Sequence, residues 1–349
     1  MKVILLGDTH FLPNRASPIF QAYFDKFYKF FFEYTQKHDI KTVIQLGDLY
    51  DVRREVQFTT IKWVNENFYS PLKDQGIQFS VICGNHDVLY KNTNKINSVS
   101  LLCPSDSLIV DLVPHSITIG SASFDLFPWI NESNLEITKK FIENSTSDYA
   151  IGHFEFSGFP MYPGTIAETG MDHKMFSKYK EVYSGHYHTI SLPTLDCNIL
   201  YTGTPTELNW ADCSDPKGFW VLDTETGLRE HIRNPYTLFE KISYTEDMVY
   251  DFTTVTEKYV KIIVLDKKDQ GKFDKFLDNI NLNRPHDVKV IESSLSGVVS
   301  DAVLLTDLLS TQSMISTVLD NLDVQVDKSK LKLRVLELYA EAEQLNKTL

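Results

Sequence analysis

Apolar residues along this chain gather in short runs, and polar side chains follow each run at once. Residues 3–6, 42–46, 79–82, 149–151 and 182–183 are such runs, rich in Val, Ile and Leu. Their brevity and the glycines that follow them predict buried strands rather than helix turns. Between them, residues 19–37, 56–74 and 133–144 space their apolar positions as helices do. Alternation of strand and helix from residue 1 to about 235 predicts an α/β layered domain. The runs at 198–202 and 218–222 have no long helix between them, which predicts a second, mostly antiparallel sheet. The expected frame is two stacked mixed β-sheets with helices outside.

After Asn234-Pro235 the pattern changes. Residues 260–265 read as a strand, 272–280 as a helix and 287–291 as a strand, giving a small β-α-β cap over 236–295. Two helical stretches follow, 301–322 and 328–346, within a C-terminal helical segment spanning 296–349. The last carries Leu331, Leu333, Val335, Leu336, Leu338, Tyr339, Ala342 and Leu345, a broad apolar face for a terminal helix. It reads either as folding back on its own domain or as docking another protein. The helix over 19–37 holds Phe24, Phe27, Tyr28, Phe31 and Phe32, most simply a face packed on a sheet.

A chain of 349 residues is long for one domain, so a large domain over 1–235 plus additions is expected. Hydrophobic residues make up 42%, as in an ordinary soluble protein, and no run approaches a membrane span. The start shows no charged-then-apolar leader. Cys83, Cys103, Cys197 and Cys213 form no close-spaced thiolate motif, so neither a zinc ribbon nor a disulfide scaffold is expected. Cys83 and Cys197 lie in apolar runs and read as buried, reduced thiols. A cytoplasmic location is the expectation. The formal charge of −13 argues against tight, autonomous DNA binding. It does not argue against phosphodiester chemistry, because bound dications would bring positive charge to the phosphate.

The polar clusters after the runs carry the chemistry. They are Asp8-Thr9-His10, Gly47-Asp48-Leu49-Tyr50-Asp51, Gly84-Asn85-His86-Asp87, Gly152-His153 and Gly185-His186-Tyr187-His188. Each falls at the carboxyl end of a predicted strand, where open α/β sheets place their sites. Asp8 and His10, two apart on an extended segment, are expected to face one way. Asp48 is the expected bridge between two cations. One cation is assigned to Asp8, His10, Asp48 and His188, the other to Asp48, Asn85, His153 and His186. Mixed oxygen and nitrogen ligands suit manganese, iron or zinc better than calcium. Two adjacent cations activate water and neutralise charge on a phosphate ester. His86 is then left to contact the phosphate or protonate the leaving oxygen. Asp51 is the expected orienter of His86, and Asp87 is expected to brace the loop. Any one cluster alone matches by accident; the five in this order, each after a strand, do not.

These five clusters resemble those of the calcineurin-like metallophosphoesterases. Tyr201-Thr202-Gly203-Thr204-Pro205 followed by Asp215-Pro216-Lys217-Gly218-Phe219 resembles the stretch after the last metal motif in SbcD-type nucleases. Asp51-Val52-Arg53, Tyr90-Lys91-Asn92 and Tyr179-Lys180-Glu181-Val182 are most similar to the recombination-endonuclease branch of T-even-like bacteriophages. The resemblance covers most of residues 1–235 and, more loosely, the rest. It implies the metallophosphoesterase sandwich and a manganese-dependent DNA nuclease, with magnesium, iron or zinc as alternative ions, acting on duplex ends and single strands beside an SbcC-like coiled-coil ATPase. It also implies a homodimer, with 56–74 and 95–103 in the place of the dimer helices and 301–349 in the place of the ATPase-docking segment. Many relatives have a histidine where Asp51 stands, which puts the balance of exonuclease and endonuclease activity in question. Phe11-Leu12-Pro13 departs from relatives that have a glycine soon after the first motif, so a differently shaped first loop is expected. Two other readings stay open: a phosphomonoesterase or small-molecule phosphodiesterase of the same superfamily, and a structural tether for DNA ends. The chain has no Gly-x-x-x-x-Gly-Lys-Ser/Thr loop, so ATP dependence would come from the partner.

Overall fold

The first strand sets the layering. Along β1 (Lys2–Leu6), Val3 and Leu5 pack into one apolar cluster and Ile4 and Leu6 into another. This is the two-sided burial of a strand in the middle of a sandwich. A computed structural model of the chain describes residues 1–162 and 165–292. The further strands of its main sheets are, in chain order, β2 (Thr42–Gln45), β3 (Gln78–Ile82), β4 (Leu108–Val110), β5 (His115–Ile119), β6 (Ala122–Phe127) and β7 (Tyr149–His153). Then come β8 (Glu181–Gly185), β9 (Ile199–Tyr201), β10 (Gly218–Asp223), β11 (Arg229–Arg233), β12 (Phe239–Tyr244), β13 (Tyr259–Val264) and β14 (Asp287–Glu292).

The first sheet runs β11-β10-β1-β2-β3-β4 and the second β9-β8-β7-β6-β5. In the first, β1 to β4 are parallel, while β10 lies antiparallel to β1 and β11 to β10. In the second, β9, β8, β7 and β6 are parallel and only the β5–β6 pair is antiparallel. The expected mostly antiparallel second sheet is therefore corrected. β9 joins the second sheet in parallel, and β10 returns to the first sheet beside β1. The parallel crossovers before β8 and β9 run through loops, a two-stranded ribbon of Pro160–Tyr162 and Thr165–Ile166, and one short 3₁₀ turn, His173–Phe176. They leave no helical periodicity to read.

Between the sheets pack Val3, Leu5, Ile44, Leu46 and Ile82 from one side and Phe124, Leu126, Ile151, Tyr183 and Leu200 from the other. The helix Pro18–Lys37 covers the outer face of the first sheet. Pro18 at its first position and the Ser17 side chain, which accepts from the Phe20 N–H, start it. Phe24, Phe27, Tyr28, Phe31 and Phe32 are all buried there, so none is available to stack a base. The helix Leu135–Asn144 covers the second sheet through Ile142. Residues 58–74 form one rod: Phe58–Val64, a π turn Asn65–Tyr69, then Ser70–Asp74. Pro71 has no N–H to give to the turn before it, and the widened turn lies just ahead of that break. Over 95–103 the expected helix is shortened: a strand, Thr93–Asn97, precedes the helix Ser98–Leu102.

The expected β-α-β unit is present as β13, the helix Gln270–Leu282 and β14, with β12 added as a third parallel strand. It has its own apolar cluster, including Ile242, Val260, Ile262, Phe273 and Ile280. Both helical stretches expected over 301–346, and the docking reading placed on them, lie outside the described residues. Among the described residues no helix is long and apolar enough to cross a membrane. The four cysteines are free; Cys83 is buried, whereas Cys197 is half-buried rather than enclosed.

Candidate metal centre

The carboxyl ends of β1, β2, β3, β7 and β8 meet, and the loops leaving them bring the polar clusters together. Three sets of side chains converge closely enough to share a cation: Asp8 with His10 and His188, His10 with Asp48 and His86, and Asp48 with His153 and His186. Asp48 stands between the sets. Its Oδ2 lies 3.7 Å from His10 Nε2 and 3.3 Å from His153 Nε2. Its Oδ1 accepts from the His86 main-chain N–H at 2.6 Å. Asp8 accepts from the His186 N–H through both oxygens, at 3.0 and 2.9 Å.

The backbone is bent to achieve this. His10, Asp48 and His186 have φ of 39°, 53° and 86°. Such conformations cost a non-glycine residue about 1–3 kcal/mol each and gather at functional sites. The expected route for Asp8 and His10, alternation along an extended segment, does not hold. β1 ends at Leu6, and a left-handed turn at His10 brings the pair together. The first loop is pinned by His10 and Phe11 N–H groups donating to the carbonyls of Asp48 and Leu49. Gly84 and Gly185 are required by closeness: a Cβ at Gly84 would fall on Asp48, and one at Gly185 on the Asp8 carboxylate.

Asn85 tests whether these residues suit a cation. Its Oδ1 lies 2.8 Å from both His153 Nε2 and His186 Nδ1. Turned by half a rotation, the amide nitrogen would donate to both rings and to Asp48 Oδ2 at 3.2 Å, and its oxygen would accept from Arg53 at 2.9 Å. The turned form satisfies the polar groups among themselves. The oxygen-inward form accepts only from a ring nitrogen that carries a proton; with both ring nitrogens bare, a cation satisfies Asp48, Asn85, His153 and His186 together. Both ring nitrogens of His10 are buried without a hydrogen bond among the described residues, a cost that a bound ion removes. The donor set fits divalent cations.

Burial readies three of the imidazoles for ligation, while His153 and Asp8 hold protons that a cation must displace. Burial pulls His10 well below the usual imidazole range, His188 down to about 4 and His186 down to about 3. All three are neutral at pH 7, the state in which imidazole ligates. Burial also opposes charge on His153, but Asp48 and Asp8 outweigh it and raise its pKa to about 9. Burial raises Asp8 to about 8, with His153 opposing and Asp48 adding. Burial pushes Asp48 up as well, yet His153, His10 and His86 outweigh it and hold it well below the carboxylate range.

The model of calcineurin-like phosphoesterases matches residues 1–190, more than half of the sequence. The chain belongs to the calcineurin-like phosphoesterases. It is also similar to exonuclease subunit 1 of Enterobacteria phage T4, 32% identical over 348 residues, covering 99% of this chain and 100% of that protein. The two findings put this phosphoesterase among the phosphodiester hydrolases of its family. A crystal structure of a dimetal phosphatase from Danio rerio matches with a TM-score of 0.41 at 10% identity, covering 63% of this chain and 91% of that one. That likeness is too low to carry an argument.

Asp51 does not orient His86 as expected. The partner of His86 Nδ1 is the Asp51 main-chain carbonyl, at 2.7 Å, while the Asp51 carboxylate lies 3.5 Å from His10 Nδ1. Asp87 braces two loops of the phosphoesterase at once, accepting from the Leu49, Tyr50 and Gly84 N–H groups and from the Ser98 hydroxyl. Three further side chains border the centre from outside the ligand clusters. Gln45, fully buried at the end of β2, bonds the Gly47 main chain through both ends of its amide; a glutamine in an apolar run was the available signal. The Trp129 ring lies 5.4 Å from that of His186. The Arg53 guanidinium lies beside Asn85. Neither of these two gave a local sign.

Proposed function

We propose that this phosphoesterase is a metal-dependent DNA nuclease. It cleaves duplex ends as an exonuclease and single strands as an endonuclease, as the nuclease subunit of an SbcCD-like recombination and repair complex. The observation that carries this reading is the end-to-end similarity to an exonuclease subunit. It extends well past the residues 1–190 that the family model matches.

Asp8, His10, Asp48 and His188 would hold one divalent cation and Asp48, Asn85, His153 and His186 a second, manganese by preference. Bound there, the ions supply an activated water and neutralise the charge that gathers on the phosphate oxygens. His86 acts from the chain itself. Its Nδ1 is engaged by the Asp51 carbonyl, which leaves Nε2 to carry a proton toward the phosphate or the leaving oxygen. Arg53, beside Asn85, offers a planar fork to a phosphate.

A homodimer through 56–74 and 95–103 is supported by apolar side chains left exposed there: Phe58 is 90% and Leu101 72% exposed, with Ile96 between them in the sequence. The division into a nuclease domain over 1–235, a cap over 236–295 and a docking segment over 296–349 belongs to the same proposal. Hydrolysis of linear duplex DNA and of a small aryl phosphodiester, with manganese and the ATPase partner present, tests it. DNA cleavage with weak turnover of the small ester is expected. Strong turnover of the small ester with DNA left intact would overturn the nuclease reading in favour of a small-molecule phosphodiesterase. Deleting residues 301–349 should abolish co-purification with the ATPase and leave a folded core.

A further inference from the structure

We infer that Lys217 is a positioning residue for His188, and that residues 202–204 and 212–218 clamp the His188 main chain. The inference deepens the dinuclear reading above and rests on it.

The His188 carbonyl accepts two hydrogen bonds from segments distant in sequence. Lys217 Nζ donates at 3.0 Å and the Thr204 N–H at 3.2 Å. Gly203 makes the second contact possible. Its φ is +70°, and a Cβ there would meet the His188 carbonyl oxygen at 3.0 Å. The Lys217 ammonium is buried, its side chain only 3% exposed. Its other two bonds go to Asp212 Oδ1 and Asp215 Oδ2, each at 2.8 Å, so all three donors are used. Asp212 is fixed in turn: its Oδ2 accepts from the Leu208 and Asn209 N–H groups at 2.9 and 3.1 Å.

Burying a lysine with two carboxylates carries a desolvation penalty that apolar packing of the same volume does not. Apolar packing, however, cannot fix a carbonyl. What the ionic cluster adds is a defined place for the His188 backbone. Asp212 Oδ1 is 4.0 Å from His188 Nδ1, beyond hydrogen-bond reach. Asp212 therefore acts on the ring through charge, and on its position through Lys217. The need for a clamp is local. His153 ends β7 and His186 follows β8 directly, whereas His188 lies two residues farther out on the loop. The Thr202-Gly203-Thr204 and Asp215-Pro216-Lys217-Gly218 segments, otherwise without a role at the centre, meet at this one carbonyl.

Lys217→Met alone strands two buried carboxylates, so the neutral triple variant Lys217→Met/Asp212→Asn/Asp215→Asn is the main test, with Asp212→Asn as a milder companion. Manganese is titrated into the full-length chain by calorimetry, and spin coupling between bound ions is read by electron paramagnetic resonance. The parent should take up two coupled ions. In the triple variant one ion should bind about 10–100-fold more weakly and the coupling should vanish, while the other binds as in the parent. Asp212→Asn should weaken that same ion less and stay folded if the triple variant does not. Equal weakening of both ions would mean a merely structural role and overturn the inference, as would unchanged binding of both in either folded variant. A parent that takes up a single ion would instead overturn the dinuclear reading.

Discussion

Replacing Asp87 by Asn changes one oxygen of a buried carboxylate and should disturb two loops at once. Asp87 is 1% exposed. Its Oδ1 accepts from the Leu49 and Tyr50 N–H groups at 3.1 and 3.3 Å and from the Ser98 hydroxyl at 3.1 Å. Its Oδ2 accepts from the Gly84 N–H at 2.9 Å and again from Leu49 at 3.3 Å. An asparagine keeps one acceptor and turns an amide nitrogen toward N–H donors. Either Gly84 or the Leu49–Tyr50 pair loses its partner. Hydrogen bonds to a charged group are worth about 1.5–3 kcal/mol each. Removing the buried charge offsets some of that, so a net loss of about 2–4 kcal/mol is expected. For a chain of this size that lowers the melting temperature by roughly 3–5 °C. Asp48 and Asn85 ride on the two loops, so manganese affinity should also fall about 10–100-fold. Scanning calorimetry and manganese titration read both effects. A variant that melts with the parent and binds both ions undiminished would refute the bracing argument.

Three further outcomes follow from other residues. His86→Gln should lower cleavage about 10²–10⁴-fold while leaving manganese uptake unchanged; cleavage at the parental rate would remove His86 from the mechanism. In the chain without cations, Asp8 and His153 titrate at about 8 and about 9 and must shed protons to ligate. Manganese affinity should therefore climb as pH rises toward that range and level off above it; a flat profile would contradict the site. Burial raises the Glu207 pKa from 4.5 to about 7, although its Oε2 accepts from the Leu238 and Phe239 N–H groups. The folded state holds that proton more tightly than the unfolded one, so the Glu207 contribution to stability is fully present below 4.5, falls as pH rises to 7, and is then lower by about 3 kcal/mol. Glu207→Gln should flatten that fall in urea denaturation at acidic and alkaline pH, and an unchanged slope would show that Glu207 is not its source.

The strand ends and their polar clusters were legible because each combines a short apolar run, a glycine and ligand-type side chains within a few residues. The helix Pro18–Lys37 was legible for a similar local reason, its aromatic positions recurring at one face. Strand direction was not. Whether Ile199–Tyr201 pairs parallel or antiparallel depends on where the preceding loop leads, and that loop has no period. β4, β5, β6, β11 and β12 were passed over as well: β4 is only three residues long, and polar residues interrupt the apolar positions of the other four. The braces are invisible from neighbours in sequence. Lys217 meets His188 across 29 residues, and Asp87 meets Leu49 across 38. Asp51 shows the limit most plainly. Residue type suggested that its carboxylate orients His86, whereas the bond comes from its carbonyl, an atom every residue has.

The most direct test is anomalous scattering from a manganese-soaked crystal of the full-length chain. The account predicts two peaks roughly 3.5–4 Å apart, with Asp48 touching both, His188 beside one and Asn85 beside the other. A single peak, or two peaks that do not share Asp48, would contradict it.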